Sequence, residues 1–168
     1  VTMKETEGYI EGKTDEGIII KAGEEKFLAK RLIISTGSMP VVPPIPGLRE
    51  GVEAGFVLTN REILDLTEIP ENLVVIGGGV IGLEMASYYN SVGSKVTVVE
   101  MLDHIAGNTD SDISKILLEN YKKKGIEFKL GCAVTEVGTD KVTFTEDGKS
   151  VSVPADKVVL KFSSRNLP

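Results

Sequence analysis

Three consecutive glycines, Gly77-Gly78-Gly79, with a fourth at Gly82, stand between two segments of opposite character. Before them, Leu73-Val74-Val75-Ile76 is a short apolar run rich in β-branched residues, which predicts a buried strand. After them, Ile81, Met85, Tyr88 and Val92 recur at the spacing of one helix face, and Gly93 offers a stop. A chain that passes from strand through a glycine turn directly into a helix must lay that helix back on the strand. Gly77-Gly78-Gly79-Val80-Ile81-Gly82 fits G-x-G-x-x-G in this strand-then-helix context. Gly77 then permits the tight turn, Gly79 lets a pyrophosphate approach the backbone, and Gly82 lets helix and strand pack closely. Phosphates would meet unpaired N–H groups at the positive end of the helix dipole. The competing reading is a glycine-rich turn with no ligand, against which the flanking elements argue.

The pattern continues downstream. Val96-Thr97-Val98-Val99 reads as a second strand ending at Glu100. An acidic residue about twenty positions beyond the glycines is placed to meet the adenosine ribose hydroxyls. No Arg or Lys occurs in residues 101–106 to receive a 2′-phosphate, so the expected cofactor is NAD(H) rather than NADP(H). Thr109-Asp110-Ser111-Asp112 reads as a helix start, and Ile113, Ile116, Leu117 and Tyr121 as its apolar face. Lys122–Lys124 suit the negative end of that helix. Ile126, Phe128 and Leu130 alternate as a third strand, and short links through helices require parallel pairing. From Val134 the pattern becomes an antiparallel meander: Val142 and Phe144, a turn at Glu146–Lys149, then Val151 and Val153. A last buried run is Val158-Val159-Leu160. The predicted fold class is α/β: a Rossmann-like parallel sheet flanked by helices, with an antiparallel β-meander insertion.

The first third follows the same closing layout. Ile18–Ile20 and Phe27-Leu28 flank a turn, and Ala29-Lys30-Arg31 leads to a predicted buried strand at Leu32–Ile34. This suggests two related halves, the first lacking its own strand–glycine–helix start, so that the chain is expected to begin inside a domain. Pro40–Gly47 reads as a stiff connector outside any core. The expected division is 1–68, 69–163 and a tail at 164–168.

A formal net charge of −6 without a basic patch argues against a nucleic-acid partner. No run of about eighteen apolar residues suggests a membrane span, and nothing at the start resembles a signal peptide. The single cysteine, Cys132, cannot form an internal disulfide, which points to a reducing cytoplasm. Cys132 is expected to pack as a small apolar residue, and His104, the one histidine, to be solvated in a loop. No metal-ligand cluster is apparent. Glu84, in the first turns of the helix, lies where the nicotinamide end should pass.

Two blocks carry a family resemblance. Val75-Ile76-Gly77-Gly78-Gly79-Val80-Ile81-Gly82-Leu83-Glu84-Met85-Ala86, continued by Val92–Glu100, resembles the NAD-binding fingerprint of the flavin-dependent pyridine-nucleotide–disulfide oxidoreductases, most closely their dihydrolipoyl dehydrogenase branch. Ile34-Ser35-Thr36-Gly37-Ser38-Met39-Pro40, followed by Pro43-Pro44-Ile45-Pro46-Gly47, resembles the stretch where the flavin domain touches FAD and hands over to the NAD domain. The resemblance implies that electrons pass from a dithiol to a redox disulfide and through FAD to NAD. It implies that Gly79, Val80 and Ile81 line the cofactor and that Glu84 lies by the nicotinamide. Glu100, with Met101 beside it, would hold the ribose, Val134 would border the adenine, and Thr36 and Gly37 would touch FAD. It also makes residues 1–68 the end of an FAD-binding domain and 69–163 the NAD-binding domain.

Several family features are absent from the sequence. They are a first glycine motif for FAD, a pair of cysteines separated by four residues, and a C-terminal interface domain with catalytic His and Glu. Where the family has a Gly-Arg-x-Pro turn, this chain reads Lys161-Phe162-Ser163-Ser164-Arg165-Asn166-Leu167-Pro168. The expectation is a fragment without a catalytic residue, inactive toward lipoamide and without bound FAD when alone. The implied partners are NAD(H), the remainder of the flavoenzyme and 2-oxo acid dehydrogenase complex subunits. An uncovered first segment is also expected to promote self-association. An NADH oxidase or coenzyme A-disulfide reductase relative, and a stand-alone NAD-binding or redox-sensing module, are the alternatives.

Overall fold

The computed structural model describes residues 1–161 and 164–166. It forms two compact units, Val1–Gly37 and Ser38–Asn166. The first is a three-stranded antiparallel meander, β1 (Gly8–Thr14), β2 (Gly17–Ala22) and β3 (Glu25–Ala29), in the order β1-β2-β3. The Ile18–Ile20 and Phe27-Leu28 strands form as predicted. The strand predicted at Leu32–Ile34 does not: the segment pairs with no strand among the described residues, and Ile33 and Ile34 are 89% and 67% exposed. Apolar composition makes a strand only where another strand takes up its N–H and C=O groups.

The second unit is built on a parallel sheet. Its first elements are β4 (Ser38–Pro40), α1 (Leu48–Glu53), β5 (Val57–Leu58) and a 3-10 turn at Glu62–Asp65. Then follow β6 (Asn72–Ile76), α2 (Val80–Ser91), β7 (Lys95–Glu100), α3 (Ser111–Lys123) and β8 (Glu127–Leu130). The meander β9 (Ala133–Val137), β10 (Lys141–Glu146) and β11 (Lys149–Pro154) leads to β12 (Lys157–Leu160). The last strand is β13 (Ser164–Asn166). The sheet order is β5-β12-β6-β7-β8, with every pair parallel. β13 pairs with β4, so part of the expected tail is a strand. Phe162, Ser163, Leu167 and Pro168 lie outside the described residues.

Both sheet faces are buried, which explains why the strands read as unbroken apolar runs. Leu73, Val75, Val96 and Val98 pack on one face against Ala86 and Tyr89 of α2. Val74, Ile76, Val99, Val158 and Leu160 pack on the other against Val142 and Phe144 of the meander and Leu48 of α1. No described helix is long and apolar enough to cross a membrane.

Both predicted helix faces are rotated. α2 buries Gly82, Leu83, Ala86 and Tyr89, leaving Tyr88 exposed. Its register is set by Gly82, whose lack of a side chain lets that line of residues approach the sheet most closely. α3 buries Ser114, whose hydroxyl donates to Ile105 O at 2.9 Å, and packs Leu117, Leu118 and Tyr121 inward. Ile113 and Ile116 face outward.

The compact division also falls earlier than residue 68. Leu48, Val57 and Ile63 are almost fully buried in the second unit, and Val42 and Ile45 of the proline-rich connector pack against its core. The connector is therefore packed on that core rather than standing clear of it. It is held because Val137 N donates to Pro46 O at 2.9 Å. Removing residues 1–37 should leave a unit with a cooperative thermal transition. Removing residues 1–67 strips Leu48, Val57, Leu58 and Ile63. At about 2–5 kcal/mol for each large buried side chain, against about 5–15 kcal/mol for a whole domain, that transition should be lost. Circular dichroism melts of the two truncations decide between the boundaries.

Candidate dinucleotide-binding site

From β6 the chain moves outward through α2, β7, α3 and β8, then returns through the meander to β12 on the other side of β6. A crevice opens beyond the carboxyl ends of these parallel strands, where open α/β sheets receive ligands. The glycine loop lies there, and each glycine meets a different neighbour. Gly77 has φ +107°, and a Cβ on it would stand 2.3 Å from Lys161 O. A Cβ on Gly82 would stand 2.2 Å from Gly77 O, so α2 can seat on the loop only without one. A Cβ on Gly78 would press on the Glu100 side chain at 3.2 Å. Gly79 has no described atom within 4 Å of its Cβ position.

Gly79 is also the N-cap of α2 and brings no side-chain cap; the first helical bond runs from Leu83 N to Gly79 O at 3.0 Å. The amides of the first turn are therefore left to an external acceptor. An open cradle at Gly79 in front of uncapped helical N–H groups fits the diphosphate of a dinucleotide. Thr36 and Gly37 belong to the other unit.

Glu100 ends β7 beside the loop. Its Oε2 accepts from Gly78 N at 2.6 Å and its Oε1 from Leu102 N at 2.8 Å. The carboxylate thus fixes the glycine loop and the start of the following loop together. Gly78 O is held in turn by Ala106 N at 2.8 Å. A cavity of about 570 Å³ opens here. Of the residues singled out by sequence, Gly77, Gly79, Val80, Ile81, Glu100, Met101 and Val134 line it. Gly78 and Gly82 support it from behind. Glu84 does not reach it: the side chain is exposed on α2, beside a separate depression with Leu64, Met85 and Tyr88.

Among the lining residues that sequence did not nominate are Pro43, Ile45, Cys132 and Lys161. The first two were hidden because a proline-rich run reads as linker. Lys161 carried a usable signal, since it directly follows a buried strand at the carboxyl edge of the sheet. Cys132 is buried, and its Sγ donates to Leu130 O at 3.3 Å. Burial, and then the carboxylate of Glu146, push its thiol pKa up, which keeps it protonated and unreactive. His104 is exposed, and its Nδ1 shares a hydrogen bond with Asp103 Oδ1 at 2.6 Å. That bond raises the His104 pKa and lowers that of Asp103.

Residues 1–162 match the family described as pyridine nucleotide-disulphide oxidoreductase. The chain belongs to that family. It is 39% identical over 158 residues to a dihydrolipoyl dehydrogenase of Acholeplasma laidlawii, covering 94% of this chain and 46% of that protein. It is 39% identical over 147 residues to the dihydrolipoyl dehydrogenase of Bacillus subtilis (strain 168), covering 86% and 30%. The chain therefore spans less than half the length of these curated relatives. Among solved structures, reduced CoADR-RHD of Bacillus anthracis is similar with a TM-score of 0.69 at 25% identity, covering 94% of this chain and 30% of that one. A water-forming NADH oxidase from Lactobacillus brevis, bound to NADH, shares the fold with a TM-score of 0.65 at 22% identity, covering 94% and 37%.

Two predictions follow from this geometry. Gly82→Ala forces a Cβ against Gly77 O and should destabilise the protein by about 1–3 kcal/mol. Gly79→Ala meets open space at a permitted φ of −72° and should leave the melting temperature within about a degree of wild type. Thermal melts of both check the contrast. For His104, an NMR titration should show a pKa above about 6.5, the ordinary histidine value, and Asp103→Asn should bring it back down. The raised folded-state pKa of His104 means that the pair's contribution is lost as pH rises above about 6.5 through the folded value, and the lowered pKa of Asp103 means that it is lost again in acid as that carboxylate protonates.

Proposed function

We propose that this chain is the NAD(H)-binding portion of an FAD-dependent oxidoreductase of the dihydrolipoyl dehydrogenase type, which passes electrons between a dithiol/disulfide and NAD through FAD. The observation that carries the proposal is the open Gly79 cradle before an uncapped helix, with Glu100 on the adjoining strand end. The relatives that cover most of this chain, dihydrolipoyl dehydrogenases, support the reading.

In this reading the first-turn amides of α2 donate to the diphosphate, and Gly79 lets the phosphorus atoms come close. Each Glu100 oxygen already accepts one backbone N–H and keeps a further lone pair for a ribose hydroxyl. Met101 and Val134 supply apolar wall for the adenine. The bound nicotinamide supplies a hydride acceptor or donor; this chain's residues bind and orient it. None of them is assigned a catalytic role, and the flavin and dithiol chemistry belongs to the parent enzyme. Glu84 acts by the nicotinamide only if other parts of the parent enzyme bring the nicotinamide to α2.

Glu100 also sets the expected cofactor choice. A 2′-phosphate would bring like charge against its carboxylate, at a cost of about 1 kcal/mol in water at 4 Å and more when partly buried. About 1.4 kcal/mol is tenfold, so NADH should bind at least about tenfold tighter than NADPH. Calorimetric titration of both cofactors is the test. No binding of NADH would overturn the function, and equal affinity would overturn the ribose assignment. Glu100→Arg should weaken NADH and narrow or reverse the preference. Its melting temperature must be measured in parallel, because Glu100 also holds the loop.

A further inference from the structure

We propose that Lys161 is a binding residue for the diphosphate of the dinucleotide, supplying the one cationic side chain among the described residues that line the cavity. The inference rests on the reading of the cavity as an NAD(H) site.

Lys161 directly follows β12 and lines the same cavity as Gly79 and Glu100. Its backbone is fixed on both sides. Lys161 N donates to Ile76 O at 2.9 Å, and Lys161 O lies where a Cβ on Gly77 would meet it at 2.3 Å. The residue is therefore anchored at the turn that begins the phosphate cradle. The residue is half-buried, and no ion pair among the described residues involves it.

Charge balance shows why a cation here matters. Among the cavity's lining residues the charged side chains are Glu100 and Lys161. A bound diphosphate adds two negative charges to the one on Glu100. The helix N-terminus offsets only about half a charge. Without Lys161 the cavity would hold an anion beside a carboxylate with little else to balance it. An ammonium on a flexible four-carbon stem can move to a phosphate without disturbing the backbone that carries it. Glu100 and Lys161 stand on opposite sides of β6, on β7 and after β12, so the two ends of an adenosine diphosphate can be read separately.

The test uses the full chain and two probes: ADP-ribose, which carries the diphosphate, and adenosine, which carries base and ribose alone. Lys161→Gln and Lys161→Met should each weaken ADP-ribose roughly tenfold, the scale of one charge-assisted hydrogen bond. Adenosine should be unaffected and Lys161→Arg should restore most of the affinity. The ratio of the two affinities is independent of the folded fraction, so a partly unfolded variant still gives an answer. The salt sensitivity of ADP-ribose binding should also fall in Lys161→Gln. An unchanged ratio, whether from no effect or from equal weakening of both probes, would overturn the proposal. Failure of the wild type to bind ADP-ribose or NADH would instead overturn the reading of the site itself.

Discussion

A missing side chain at Gly82 lets α2 rest on the turn that precedes it, so closely that a Cβ would stand 2.2 Å from Gly77 O. The rest of the second unit depends on that approach. It fixes which line of α2 faces the sheet, and so places Leu83, Ala86 and Tyr89 in the core. It aims the uncapped end of the helix at the crevice between β6 and β12. It also leaves Gly78 where Glu100 can reach its amide, which ties the helix start to the neighbouring strand.

The cavity needs the other sheet face as much as it needs the glycine loop. A doubly wound sheet covers both faces with helices. Here one face carries α2, and the other carries the meander and α1. The substitution shapes the site because β9 leaves the sheet edge just beyond β8 and brings Ala133 and Val134 to the cavity. The connector completes the wall. Gly47, at φ +76°, passes so close to β9 that a Cβ would overlap Val137 O. Pro43 and Ile45 are held at the cavity by that contact and by the Val137–Pro46 hydrogen bond.

Local pattern made the parallel strands, the glycine turn and the meander legible, since each is written in neighbouring residues. The helix start at Thr109–Asp112 was equally legible for the same reason, and within it Asp110 is the N-cap, its side chain accepting from Asp112 N. Contacts between distant segments were not. Residues 32–34 have the composition of a strand but no pairing strand among the described residues, whereas Val57-Leu58 is too short to stand out and becomes a strand through β12. The helix faces failed for a related cause. The apolar positions of α2 admit more than one stripe, and the choice is made by Gly82 against the strand, not by the helix itself. Glu84 was nominated by resemblance to a longer protein, and its side chain lies exposed on α2, outside the described residues that line this cavity.

Glu100 shows how a specificity residue can also be a structural one. A carboxylate recognising a ribose from water must be desolvated and oriented at the moment of binding. Here two backbone amides, from Gly78 and Leu102, hold one oxygen each before any ligand arrives. Orientation is then part of the fold, and ribose hydroxyls meet lone pairs already directed away from the backbone. The same arrangement makes reversal of cofactor preference harder than a charge argument suggests. Exchanging the carboxylate for a guanidinium removes two acceptors and presents donors to two amide donors. The loop that must receive the new phosphate is thereby loosened by the substitution meant to attract it. A cation introduced farther along the β7–α3 loop, at Asp103 or His104, would add the charge while leaving the Gly78–Glu100–Leu102 bridge intact.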